Sequence, residues 1–202
     1  MLYSQSVIWV LISSTILTFA ISRMAWRIGL VDTPDPRRSH LLVTPRGGGL
    51  AIVLMMFIWL VLACSLSILK QHIWLPLCPA FAIALVGFTD DLFSISARYR
   101  LLAQFICSGL SLYLMGGMHF VLHINGYLIA SELVLIVSLL FLVWSINLYN
   151  FMDGINGLAG LEAILVSVVM AYIAYSDGYK DHSLLWAVLA AASSGFLLWN
   201  FP

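Results

Sequence analysis

The sequence predicts an all-α, polytopic membrane protein: a transmembrane bundle of about seven helices, in one integral-membrane domain covering residues 1–202. Three observations carry this reading. Of the 202 residues, 62% are hydrophobic and only 9% charged, with a mean hydropathy of +1.03. A soluble domain carries about 25% charged residues, and a chain with so few cannot cover a water-facing surface. The apolar residues fall in runs close to the roughly 20 that a spanning helix needs. The arginines collect in alternate loops.

Taken in order, the first apolar run covers Leu2 to Met24 and has no basic start, which reads as an anchor rather than a cleaved signal. The second covers Leu50 to Leu69. The third, Trp74 to Thr89, is short and carries Pro79 near its start, where proline is tolerated. The others are Leu101 to Met118, Leu128 to Ile146, Leu158 to Tyr175 and Leu184 to Trp199. Seven crossings sort the loops into two sets. Residues 25–49, 90–100 and 147–157 form one; residues 70–73, 119–127 and 176–183 form the other. Arg23, Arg27, Arg37, Arg38, Arg46, Arg98 and Arg100 fall with the first set, and only Lys70 and Lys180 with the second. The positive-inside rule puts the first set in the cytoplasm and the N-terminus outside.

Composition excludes some classes. Zero net charge gives no footing for a nucleic-acid partner. Cys64, Cys78 and Cys107 lie in or beside apolar runs, without disulfide or metal-ligand spacing.

Three motifs share the cytoplasmic side. The first loop contains Val31-Asp32-Thr33-Pro34, then Arg37, Arg38 and His40, then Thr44-Pro45-Arg46-Gly47-Gly48-Gly49. Arginines here can clamp phosphate, and glycines let backbone N–H groups approach an anion; the plainer reading is a basic loop that sets topology. The second motif is Asp90-Asp91, closing the third apolar run. Two adjacent carboxylates at a membrane boundary need a counter-charge. Mg²⁺ is the economical partner, because it takes one or two carboxylates and completes its shell with waters and phosphates; Mn²⁺ is the substitute. A solvated helix end is the alternative, although acids there oppose the macrodipole. The third motif is the stretch from Asn147 to Gly157, where Asn147, Asn150 and Asp153 recur every three residues and would share one side of a helix. They could hold a polar ligand or simply end the helix. Together the motifs point to Mg²⁺-assisted phosphoryl chemistry at a membrane surface.

These ordered motifs resemble those of the polyprenyl-phosphate N-acetylhexosamine-1-phosphate transferases, of the glycosyltransferase family 4 type, from about residue 29 onward. The wording from Asn147 to Gly154 leans toward the branch that initiates O-antigen. The resemblance implies transfer of an N-acetylhexosamine-1-phosphate from a UDP-sugar to undecaprenyl phosphate, which yields the undecaprenyl-diphosphate sugar and UMP. The setting it implies is the bacterial inner membrane, with the active face cytoplasmic. It also implies catalytic and Mg²⁺-binding roles for Asp90, Asp91 and Asp153. Substrate contacts are implied for Asn147, Asn150, Asn156, Arg37, Arg38, His40 and Arg46. Asn156 stands where the family motif usually has aspartate. The family continues past a segment like Trp199-Asn200-Phe201-Pro202 with further motifs and helices, so the resemblance makes this a truncated member. An inactive remnant or assembly subunit is the alternative, and a transporter ranks below it because the ionisable groups lie at one interface rather than at mid-membrane. The sugar and homo-oligomer formation stay open.

Overall fold

The computed structural model describes residues 2–28, 30–32, 44–45, 47–116, 122–124, 127–129 and 131–200. Helices dominate: α1 (Leu2–Ile28), α2 (Leu50–Ser65), the single turn α3 (Gln71–Trp74), α4 (Cys78–Phe93), α5 (Ala97–Leu114), α6 (Ser131–Met152), α7 (Leu158–Ser176) and α8 (Lys180–Asn200). A 3₁₀ turn, Leu75–Leu77, joins α3 to α4. Two short antiparallel ribbons complete the elements, β1 (Val31–Asp32) with β2 (Thr44–Pro45), and β3 (Leu122–Ile124) with β4 (Tyr127–Ile129). Among the described residues each of the seven apolar runs is mainly helical, and the chain is a multi-pass membrane protein. Five stretches are long and apolar enough to cross a bilayer: Gln5–Ile28, Gln71–Phe93, Ser131–Met152, Leu158–Ser176 and Lys180–Asn200. Helix α2 has only 16 residues, and α5 begins with two arginines in its first turn.

The contacts fall into two compact units. The first holds residues 1–68 and 151–202. Here α8 packs on α7, α1 and α2. Lipid offers helices no hydrophobic drive to associate, so close approach and hydrogen bonding must supply it. Small residues make that approach possible. A Cβ on Gly195 would meet Leu11 O, Ser14 Cβ and Thr15 N of α1, each at 2.8 Å. The buried Ser14 Oγ donates across the helices to Ala192 O at 2.7 Å, and Trp199 Nε1 donates to Thr15 O at 3.0 Å. Ser183 Oγ ties α8 to Ala171 O of α7 at 2.8 Å. The Phe196 ring fills the spaces left by two glycines: a Cβ would lie 2.8 Å from it on Gly48 and 3.5 Å from it on Gly160. Gly47, with φ +84°, takes the left-handed conformation that starts the turn into α2. Two of the three glycines that the sequence offers as an anion cradle are thus accounted for by turn geometry and packing.

The second unit holds residues 69–150. Pro76 and Pro79 sit at the starts of the 3₁₀ turn and of α4, where a missing N–H costs nothing. Residues 71–73, expected as loop, instead form the turn α3. Helices α4 and α5 form a hairpin through only three residues, Ser94 to Ser96. Ser94 takes φ +51° and its N–H bonds Asp90 O at 2.9 Å, which ends α4. Ser96 is extended and its carbonyl accepts from Tyr99 N and Arg100 N, which starts α5. The helix therefore begins at Ala97, four residues before the apolar run, and Arg98 and Arg100 lie on it rather than in a loop. Helix α6 runs to Met152, six residues beyond its apolar run, so that Asn147 and Asn150 are helical.

Candidate active site

Asp90 and Asp91 occupy the last turn of α4. Arg100, in the first turn of α5, donates from Nη1 to Asp90 Oδ2 across the three-residue connection. Asp90 is 19% exposed and Arg100 36%. Helix stability alone would favour the opposite arrangement, because an acid at a C-terminus and a base at an N-terminus both oppose the macrodipole. Each residue is offset by the other. Arg100 is thus one counter-charge for the pair, supplied from within the chain.

One turn beyond Arg100, Gln104 presents Oε1 to Asn147 Nδ2 of α6 at 2.7 Å, and the same Nδ2 donates to Val143 O at 2.8 Å. Helix α5 therefore holds an acid of α4 through Arg100 and an amide of α6 through Gln104. Neither Arg100 nor Gln104 was identified as a site residue from the sequence. Their four-residue spacing, which places them on one side of a helix, was the available signal. Asn147 Nδ2 is committed to this bracing, which leaves Oδ1 to accept from a ligand. Asn150 is exposed one turn further along.

Helix α6 ends at Met152, and residues 153–157 make a tight turn into α7. Gly154 N bonds Phe151 O at 3.3 Å and Ile155 N bonds Met152 O at 3.0 Å. Gly157 takes φ +76° and caps α7. Asp153 is thus the first residue past the helix and belongs to the first unit. Asp153 is exposed, yet the protein around its carboxyl raises its pKa above the ordinary 3.8. Asn156 is exposed in the same turn. Arg37, Arg38, His40 and Arg46 lie outside the described residues.

The donor chemistry at Asp90 and Asp91 fits a hard divalent cation, which prefers oxygen ligands and keeps several of its waters. Among the described residues no group of three or more histidine, cysteine or carboxylate side chains gathers to form an all-protein cage.

The chain is similar to known proteins. The family model described as Glycosyl transferase family 4 matches residues 73–202. An undecaprenyl-phosphate alpha-N-acetylglucosaminyl 1-phosphate transferase from Yersinia pestis is 29% identical over 204 residues, covering 98% of this chain and 54% of its own length. A probable undecaprenyl-phosphate N-acetylglucosaminyl 1-phosphate transferase from Bacillus subtilis (strain 168) is 30% identical over 200 residues, 95% of this chain and 53% of its own length. The counterpart from Escherichia coli (strain K12) is 28% identical over 206 residues, with 98% and 54% covered. The chain spans about half the length of these curated relatives.

Proposed function

We propose, because this chain belongs to glycosyl transferase family 4, that it serves the transfer of an N-acetylhexosamine-1-phosphate from a UDP-sugar to undecaprenyl phosphate at the cytoplasmic face of the bacterial inner membrane, in the initiation of an O-antigen-like polysaccharide. The observation that carries the reading is the α4–α5 hairpin, where two adjacent carboxylates stand at a helix end and Arg100 holds one of them, Asp90. The similarity to undecaprenyl-phosphate N-acetylglucosaminyl 1-phosphate transferases supports the carrier and the reaction class.

A phosphate oxygen of undecaprenyl phosphate forms a bond to the β-phosphorus of the UDP-sugar. The bond from that phosphorus to the bridging oxygen breaks, and UMP departs with the electron pair. Asp90 and Asp91 are the residues we assign to Mg²⁺, which when bound neutralises diphosphate charge. Asp153 keeps the metal and catalytic role implied by the resemblance. Partial burial raises its carboxyl above the usual value. Arg100 is a positioning residue: its ion pair fixes the Asp90 carboxylate across the α4–α5 connection. Asn150 and Asn156, both exposed, and the Oδ1 of Asn147 are hydrogen-bonding groups for the sugar or diphosphate. We extend the same assignment to Arg37, Arg38, His40 and Arg46 as anion ligands from the first cytoplasmic loop.

The test is UMP release by the purified chain in detergent, with undecaprenyl phosphate, Mg²⁺ and a panel of UDP-N-acetyl sugars, beside an Asp90→Asn control. Release that needs the lipid and disappears in the control supports the reading. Absence of release with every sugar overturns the transferase activity for this 202-residue chain.

A further inference from the structure

Where α1 and α8 end, Phe19, Ser22, Arg23, Trp26, Arg27 and Trp199 line a cavity of about 400 Å³. We propose that this cavity binds the headgroup of an anionic phospholipid, with Arg23 and Arg27 as the phosphate ligands. The proposal is independent of the transferase reading, since all six residues lie outside the motifs that carry it.

The walls are built before any ligand arrives. Trp199 is fixed by its N–H donation to Thr15 O at 3.0 Å. Its ring lies against Phe19, with centroids 4.8 Å apart. The Arg23 guanidinium sits 5.2 Å from the centre of the same Phe19 ring, a cation–π contact that steers the stem while leaving its N–H groups for a ligand. Ser22 spends its hydroxyl proton on Phe19 O at 2.9 Å, so the arginines supply the donors of the cavity. Arg23 and Arg27 stand four residues apart, one turn along α1. Among the described residues neither is paired with a carboxylate.

A basic residue near a helix C-terminus offsets the macrodipole wherever it lies around the axis. That explanation does not require both arginines to line one cavity with two tryptophans. Paired guanidiniums offer the fork geometry that matches phosphate oxygens. The flanking surface names the source of the phosphate. Ile16, Met24 and Ile28 of α1 are 63%, 55% and 64% exposed on a helix long and apolar enough to span a bilayer. A soluble anion would leave those side chains and the tryptophan faces uncovered. A phospholipid covers them with its acyl chains while its phosphate meets the arginines. Tryptophan is enriched at this level of the membrane for the same reason.

The experiment is native mass spectrometry of the purified chain in neutral detergent, titrated separately with phosphatidylglycerol, phosphatidylcholine, inorganic phosphate and undecaprenyl phosphate. Phosphatidylglycerol should bind at concentrations where phosphatidylcholine and inorganic phosphate give no adduct. Arg23→Gln with Arg27→Gln should weaken it roughly ten- to thirty-fold, as expected from the removal of two charges near an anionic surface. Arg27→Lys, which keeps the charge but not the fork, should lose less. Circular dichroism verifies that each variant keeps its helix content. Equal binding of phosphatidylglycerol to wild type and the double variant overturns the proposal. So does equal binding of the two phospholipids by wild type, a comparison that needs no variant to fold. Inorganic phosphate or undecaprenyl phosphate displacing phosphatidylglycerol at equimolar concentration would make the cavity a site for that ligand instead, and would also overturn it.

Discussion

Helices α8 and α6 are of nearly equal length, 21 and 22 residues, and both are apolar enough to span, yet 39% of the most apolar window in α8 is buried inside the protein against 6% in α6. The difference lies in side-chain size. Helix α8 carries Ala190, Ala191, Ala192, Ser193 and Gly195, which let neighbouring backbones approach closely. Helix α6 carries Leu133, Ile136, Leu140, Phe141 and Trp144, each more than half exposed. Its described hydrogen bond to another helix is the amide contact from Asn147 to Gln104. Hydropathy treats the two helices alike; packing separates a helix built for protein neighbours from one built for lipid. The Asp90–Arg100 and Asn147–Gln104 contacts lie on the sparsely packed α4, α5 and α6, while the helices of the first unit pack tightly.

That contrast makes separable predictions. The largest effect belongs to Asp90→Asn. UMP release should fall by about 10²–10³-fold, as when a charge-stabilising group is removed from a reacting centre, with the thermal midpoint nearly unchanged. A matching loss of stability would show that the hairpin is structural. Gly195→Val should do the reverse. With three α1 atoms already 2.8 Å from the added Cβ, overpacking should cost about 1–3 kcal/mol or more in denaturant titrations, and an unchanged stability would break the account of the α1–α8 contact. Ser193 Oγ is buried and without a hydrogen-bond partner among the described residues. Ser193→Ala should therefore be neutral or stabilising, by up to about 1 kcal/mol, whereas Ser14→Ala, which loses the 2.7 Å bond to Ala192 O, should cost about 1 kcal/mol. Phe141→Leu, on the exposed face of α6, should stay within about 0.5 kcal/mol.

Asp153 gives a prediction in pH. Its folded pKa lies above its unfolded value of 3.8, so its contribution to stability is most favourable below that value and is lost as pH rises through the folded pKa. In metal-free protein at neutral pH, Asp153→Asn should therefore be more stable than wild type, and the gap should close as pH falls below 3.8. Added Mg²⁺ should also close it, by giving the ionised carboxylate a partner. A variant less stable than wild type at neutral pH would contradict the sign.

Much of this was legible in the sequence. Each apolar run became a helix because the composition of the run and its length both demanded one. The carboxylate pair fell at a helix end because Ser94 and Ser96 bracket a connection too short to place it elsewhere. The helix boundaries were less legible, since hydropathy stops at the first charged residue and a helix need not. Arg98 and Arg100 were read as loop for that reason, which hid the Asp90 contact made by Arg100. The β3–β4 ribbon was missed although Asn125-Gly126, between its strands, is a strong hairpin signal. The glycine triplet invited a phosphate reading because sequence does not reveal that Phe196, about 150 residues away, rests on Gly48.

The α1–α8 contact also fixes an order of events during synthesis. Ser14 finds its acceptor 178 residues later, and Thr15 waits 184 residues for the Trp199 indole. At roughly 5–20 residues per second, α1 spends on the order of ten to forty seconds in the membrane before its partner exists. Thr15 Oγ1 on Leu11 O and Thr18 Oγ1 on Ser14 O are bonded within α1 itself, so these hydroxyls need no later helix to satisfy them in lipid.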